Sequence, residues 1–304
     1  MRVLSAGARP WKARDWQNVA EKKMKVLIAG SSGQLGQELR RALVVGGYKV
    51  AALGHGELDV TDPEAVRQAV ERMQPEVILN AAAMTDVDAC ENDPEAAFRV
   101  NALGPRNLAQ AAREVGALLV HVGTDHVFDG EKGGPYAVGD PVNPVNVYGR
   151  SKLAGEEAVR ETAPDFLVVR TAWLYSGRGQ KDFVRTVLTL LDAGEEIRMV
   201  EDQVGSPTFV PDLARAIRSL VEEGARGTWH VAGGGECSRF ALARAVAEFS
   251  GRDPERIRPA VTADLPPRPA RRPRRTSLVG RAPLRDWREA LRECLEGVRA
   301  GAKY

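Results

Sequence analysis

The chain has 304 residues, 43% apolar and 28% charged, a balance that argues against disorder and for one large domain or a large domain with a small one. The formal charge of +2 gives no ground for a global preference for nucleic acid or an anionic membrane surface. Cys90, Cys237 and Cys294 form no Cys-x-x-Cys pair, which argues against a disulfide framework or zinc site and fits a reducing cytoplasm.

Residues 1–23 show no apolar signal-peptide core. They read as a flexible arm or a misassigned upstream start, with Met24 as the natural beginning of the domain. Lys25 to Ala29 reads as a short buried strand. Leu35, Leu39 and Leu43 then recur at helical spacing. Lys49 to Leu53 is a second strand. Thr61-Asp62-Pro63-Glu64 has the form of a capping box, opening a helix with Val66, Val70 and Met73 on one side. Val77 to Leu79 is the third strand. Asn92-Asp93-Pro94-Glu95 opens a helix expected to run to about Val115. Leu118 to Val122 and Phe166 to Arg170 are further strands. Later helices are expected over 182–191, 213–222, 240–249 and 287–298, separated by glycine and proline clusters. No stretch reaches the ~20 apolar residues of a membrane span. The histidines include no His-x-x-x-His pair, so no metal site is expected.

Alternating strands and helices predict an α/β fold: a Rossmann-type, doubly wound parallel sheet. The expected division is a dinucleotide-binding domain over 24–170 and a smaller, mainly substrate-binding region over 171–304. Some segments of that region are expected to return to the sheet. Ligands of such sheets sit at the carboxyl ends of the strands.

Gly30-Ser31-Ser32-Gly33-Gln34-Leu35-Gly36 stands between the first strand and the first helix. Glycine lets a pyrophosphate approach the backbone, and the helix N-terminus offers free amides. This context predicts a dinucleotide site. The second strand ends at Leu53-Gly54-His55-Gly56 with no acid to meet a free ribose, which leans towards NADP(H) and leaves NADH open. Asp59 and Val60 meet the adenine, or Asp59 only caps a turn. Ala81, Ala82 and Ala83, after the third strand, let the backbone pass close to the dinucleotide, or mark tight packing.

Tyr148 and Lys152 stand four apart, on one face of a helix. A phenol can protonate the alkoxide left by hydride transfer if a nearby ammonium lowers its pKa. Lysine can also hold the nicotinamide ribose. Thr124 ends the fourth strand, where a hydroxyl can orient a substrate carbonyl. Asp125 is a second polar contact or a cap.

These residues give the chain its resemblance to the extended short-chain dehydrogenases/reductases, and within them to the dTDP-4-dehydrorhamnose reductases. Further markers are Leu58 to Asp62, Asn80 to Ala83, Asn146 to Glu156, Arg170-Thr171-Ala172-Trp173-Leu174-Tyr175 and Asp202 to Thr208. The resemblance implies an enzyme reducing a dTDP-linked 4-keto deoxysugar with NADPH. It implies Tyr148 as proton donor, Lys152 as its partner, Thr124 as carbonyl anchor, Trp173 lining the sugar pocket, and 204–208 near the nucleotide end. Three departures stand out. Gly123-Thr124-Asp125-His126 replaces Ser-Thr-Asp-Tyr, Met84 replaces tyrosine in Ala-Ala-Tyr-Thr, and Gly54 to Gly56 lacks the usual charged residue.

Arg268 to Arg275 holds five arginines among prolines. It reads as a diphosphate contact through Arg272, as a solvated loop, or as a nucleic-acid contact, though no aromatic or helical reader accompanies it. Two alternative functions stay open: a nucleotide-sugar epimerase or dehydratase, and a non-catalytic regulatory subunit retaining the dinucleotide fold. No nucleic-acid or membrane partner is expected, and a homodimer is open.

Overall fold

The computed structural model describes residues 23–179, 182–280 and 284–301. The expectations for the N-terminal arm fall outside them, apart from Lys23.

Apolar runs bounded by glycine and polar residues make the strands. β1 (Lys25–Ala29), β2 (Lys49–Leu53), β3 (Val77–Asn80), β4 (Leu118–Thr124) and β5 (Phe166–Thr171) lie parallel, and a later strand completes the sheet. Val77 to Asn80 is buried throughout, as expected of a strand covered on both faces. The connections carry α1 (Gln34–Val45), α2 (Pro63–Met73), α3 (Val87–Asn92), α4 (Pro94–Phe98), α5 (Gly104–Val115) and α6 (Val147–Thr162).

Two local expectations change. The helix expected from Asn92 to Val115 is three pieces, in which α4 and α5 are joined by a π-helical segment, Arg99–Leu103. Its wider turn carries the fully buried Asn101. At α2 the N-cap is Asp62, which accepts from the Glu64 and Ala65 amides. Thr61 instead donates its amide and hydroxyl to Asp59, so no Thr61 capping box forms.

Beyond β5 the chain forms β6 (Leu174–Tyr175), α7 (Phe183–Asp192), β7 (Ile197–Val200), β8 (Val204–Gly205), β9 (Thr208–Phe209) and α8 (Val210–Glu222). Then follow β10 (Gly227–His230), β11 (Cys237–Ser238), α9 (Arg239–Ser250), β12 (Ile257–Ala260) and α10 (Trp287–Arg299). The main sheet has the order β10-β5-β4-β3-β1-β2. The chain reverses its direction of winding beside β1, which opens a crevice between the ends of β1 and β3.

On one face, Leu35, Leu39 and Leu43 of α1 pack with Val210, Leu213 and Ile217 of α8 over the sheet. On the other, α2, α5 and α6 bury Val66, Leu108 and Val159. A separate core joins α7, α9 and α10 through Leu188, Val246, Trp287 and Leu291. The segments returning to the sheet are α8 and β10, while α7, α9 and α10 form the smaller body beside the strand ends.

Candidate active site

The glycine loop is shaped by its neighbours. Gly30 has φ 80°, and a Cβ there would lie 2.5 Å from the Ala82 amide nitrogen. A Cβ at Gly36 would meet the Gly30 carbonyl oxygen at 2.3 Å. The loop is thereby pressed against Ala81 and Ala82 as β3 ends. Gly33 is different: its Cβ would find only an ordinary contact at 3.5 Å. It is the N-cap of α1 and supplies no side-chain cap, and the first turn holds no acid. The orphan amides of α1 thus face an anion site, which fits a dinucleotide diphosphate. Gln34 is tied to the Ser176 hydroxyl at 3.2 Å. Leu35 is buried in the core and offers a ligand only its backbone. Ser32 is exposed beside the loop.

At the end of β2, Glu57 folds back and accepts from the Gly54 amide at 2.9 Å. A carboxylate therefore stands where the sequence showed none. Asp59 caps its own turn through Thr61, and those hydrogen bonds hold its carboxyl below the usual range. Val60 is buried and packs against Gly104.

The catalytic candidates converge from β4 and α6. Asn146 caps α6, accepting from the Gly149 amide at 2.8 Å, and this orients Tyr148 in the first turn. Tyr148 is partly buried against Cys90, Ala97 and Val147, with Met84 beside it. Its phenol lies near enough to the Thr124 hydroxyl for Thr124 to act on its pKa. The Thr124 hydroxyl also lies 3.1 Å from Asp125 Oδ1. The Thr276 hydroxyl donates to Asp125 Oδ2 at 2.5 Å. Asp125 is therefore a fixed anchor beneath Thr124.

Lys152 is placed against β4. It is 2% exposed, and its Nζ donates to the Val122 carbonyl at 2.7 Å. It reaches back to β4 rather than toward the phenol. Burial raises the Tyr148 pKa, and only Thr124 acts to lower it. Burial brings Lys152 itself down to about 8, against Glu156, which raises it.

A polar chain runs beside that lysine. Asn80 Oδ1 accepts from the Ala82 amide at 3.1 Å, which turns its amide nitrogen to His121 Nδ1 at 3.1 Å. The His121 proton then belongs on Nε2, 3.4 Å from Lys152 Nζ. On the far side, Glu156 is fully buried and paired with Arg170, whose Nη2 lies at 2.8 Å. Asn101 holds the Met84 backbone and the Ser151 hydroxyl, joining the β3 loop to α6.

Trp173 follows β5, half-buried and packed against two core clusters. Its φ of 45° is left-handed, a conformation costing about 1–3 kcal/mol that surrounding contacts must hold. Gly205 makes room for the indole: a Cβ there would lie 2.4 Å from Cε2. Arg239 stacks on the indole ring at 3.6 Å. Arg272 departs from expectation. Both ends of its guanidinium bond Asp88, at 3.0 and 2.9 Å, and a third bond goes to the Ala270 carbonyl. The donors expected to meet a diphosphate tie the 268–275 segment to α3. Among the described residues, no cluster of His, Cys, Asp or Glu is arranged to hold a metal, and no helix is long and apolar enough to cross a membrane.

Residues 24–300 match the family model described as the RmlD substrate binding domain. A dTDP-4-dehydrorhamnose reductase of Mycolicibacterium smegmatis is 45% identical, over 90% of this chain and 86% of its own. The chain belongs to the dTDP-4-dehydrorhamnose reductase family. Among solved structures, that of a family member from Clostridium acetobutylicum superposes with a TM-score of 0.86 at 38% identity, covering 91% of this chain and all of its own. Another, from Bacillus anthracis in complex with NADP, gives a TM-score of 0.86 at 34% identity, over 90% of this chain and 99% of its own.

The family's departures now have places. A Cβ at Gly123 would stand 2.6 Å from Glu156 Oε1 and 3.0 Å from Arg170 Cγ, so the missing serine leaves room for the buried pair. His126 stacks edge-on to Tyr148 at 5.3 Å and keeps an aromatic ring beside the phenol. Sequence reasoning missed Asn101, His121, Arg239 and Thr276. The available signals were a histidine inside an apolar strand and Gly104-Pro105 inside an apparent helix. Arg239 and Thr276 carried none, because both arrive from distant chain.

Proposed function

We propose that the chain reduces dTDP-4-dehydro-L-rhamnose to dTDP-L-rhamnose with NADPH, Tyr148 supplying the proton. The observation that carries the reading is the meeting of Thr124, at the end of β4, with Tyr148, in the first turn of α6, where the Thr124 hydroxyl acts on the phenol, in a member of a reductase family. The amides of Gly33 to Gly36 would hold the cofactor diphosphate, and Ala81 to Ala83 would let its backbone-facing side pass. Asp59 and Val60 would lie beside the adenosine, and Lys152 would meet the nicotinamide ribose. The bound cofactor supplies the hydride.

The chain's own residues manage the proton. Tyr148 presents its hydroxyl to the carbonyl oxygen, and Thr124, whose proton goes to Asp125 in this structure, would turn its hydroxyl to the same oxygen when substrate is bound. Burial keeps the Tyr148 phenol protonated, so a proton is ready for the alkoxide. Trp173 forms the wall against the sugar ring. The three cysteines are buried and unpaired, which supports a cytoplasmic enzyme.

Absorbance of NADPH is followed with dTDP-4-dehydro-L-rhamnose and other nucleotide-linked 4-keto sugars, with NADH run in parallel. Turnover highest with the rhamnose precursor and NADPH is expected; no turnover above background would sink the proposal. Tyr148→Phe is expected to lose at least about 100-fold in kcat with NADPH binding kept, as read by fluorescence titration.

A further inference from the structure

Arg239 opens α9, and its guanidinium lies over the Trp173 indole, with Cζ 3.6 Å from the ring centroid. A second ring, Phe183, stands at 5.3 Å. The platform is rigid. Trp173 is locked at φ 45°, its carbonyl accepts from the Thr208 amide at 3.1 Å, and the Gly205 backbone fills the space beside the indole.

Stacking occupies the face of a guanidinium and leaves the N–H donors pointing out from its edge. Neighbouring arginines use those donors. Arg272 binds Asp88, Arg275 binds Glu236 and Arg285 binds Asp212. The Arg239 side chain makes no hydrogen bond or ion pair among the described residues. Asp125 is the acid whose charge favours it, but both oxygens of that carboxylate already bond hydroxyls, Thr124 and Thr276. Burial brings the guanidinium down to about 10, and the Arg272 and Arg268 charges act in the same direction. A partly buried cation with like charges around it and open donors is an arrangement that an anion completes.

We infer that Arg239 binds the diphosphate of the nucleotide-linked sugar, with its edge as donor and the Trp173 indole as its support. The inference rests on the substrate class proposed above. A dinucleotide cofactor also carries a diphosphate, but the uncapped start of α1 is placed at the end of β1, whereas Arg239 lies over Trp173, beyond the end of β5. Arg239 is therefore a specificity residue for the substrate anion, the role that the sequence suggested for Arg272.

The test is calorimetric titration of the full chain with dTDP, thymidine and NADPH, each separately, for the wild type and for Arg239→Ala, Arg239→Gln and Arg239→Lys. Arg239→Ala is expected to weaken dTDP at least about tenfold and to leave thymidine and NADPH within about twofold. Arg239→Lys, which restores the charge, is expected to recover part of the loss. Arg239→Gln keeps a planar group on the indole, and it is expected to match the alanine variant while retaining the wild-type fold by circular dichroism. It stands in if Arg239→Ala does not fold. Equal weakening of dTDP and thymidine would reduce Arg239 to a packing role and overturn the inference. Unchanged dTDP binding would overturn it as well, and a loss confined to NADPH would move the site to the cofactor. Failure of the wild type to bind dTDP would instead refute the substrate class itself, and the inference with it.

Discussion

Gly123 shows how one missing side chain answers to a buried charge. Glu156 accepts from Arg170 through both its oxygens and from Arg160, and it raises the pKa of Lys152 one turn earlier. Breaking such a pair leaves an uncompensated charge in the interior. The pair holds its place directly beside Gly123, where family relatives usually carry serine. Gly123→Ser is therefore expected to destabilise the fold by roughly 1–3 kcal/mol through overpacking, as measured by urea unfolding. A serine variant as stable as the wild type would show that Glu156 and Arg170 can yield.

At the scale of elements, the helix starts decide where the reactive groups point. Asn146 begins α6 so that Tyr148 lies in its first turn and Lys152 one turn deeper, against β4. The π-helical turn before α5 swings Asn101 inward to hold Met84 and Ser151, a common use of such turns at functional sites. At α2, Asp62 satisfies two orphan amides at once. Asp62→Ala is expected to cost about 1 kcal/mol, and Thr61→Ala clearly less, by thermal or chemical denaturation. The reverse order would restore Thr61 as the cap.

For the molecule as a whole, the dinucleotide-binding half does not close on its own. The face of the sheet under α1 is completed by α8, and the edge beside β5 by β10. Both come from beyond Thr171. A fragment covering 24–171 would leave Leu35, Leu39 and Leu43 without their partners and β5 with an open edge. It is expected to show no cooperative urea transition, although it contains the whole glycine loop. A sharp transition in that fragment would make the sheet a self-sufficient unit.

The parallel sheet, the glycine loop and the shared face of Tyr148 and Lys152 were legible in the sequence. Each depends on local periodicity: apolar runs that must be buried, glycines at a strand-to-helix turn, and two side chains four residues apart on a helix. The sequence also carried Thr124 to a strand end, because the length of β4 places it there. What local spacing cannot convey is the use a side chain makes of distant partners. Lys152 shares a face with Tyr148, yet the nearest acceptor for its buried amine is the Val122 carbonyl. Arg272 has the composition of a phosphate ligand, yet Asp88 reaches it first. Arg239, one residue before an expected helix, carried no signal until folding set it on Trp173 without a carboxylate. Charge pairing is settled by which groups meet after burial, and only the tertiary structure decides that.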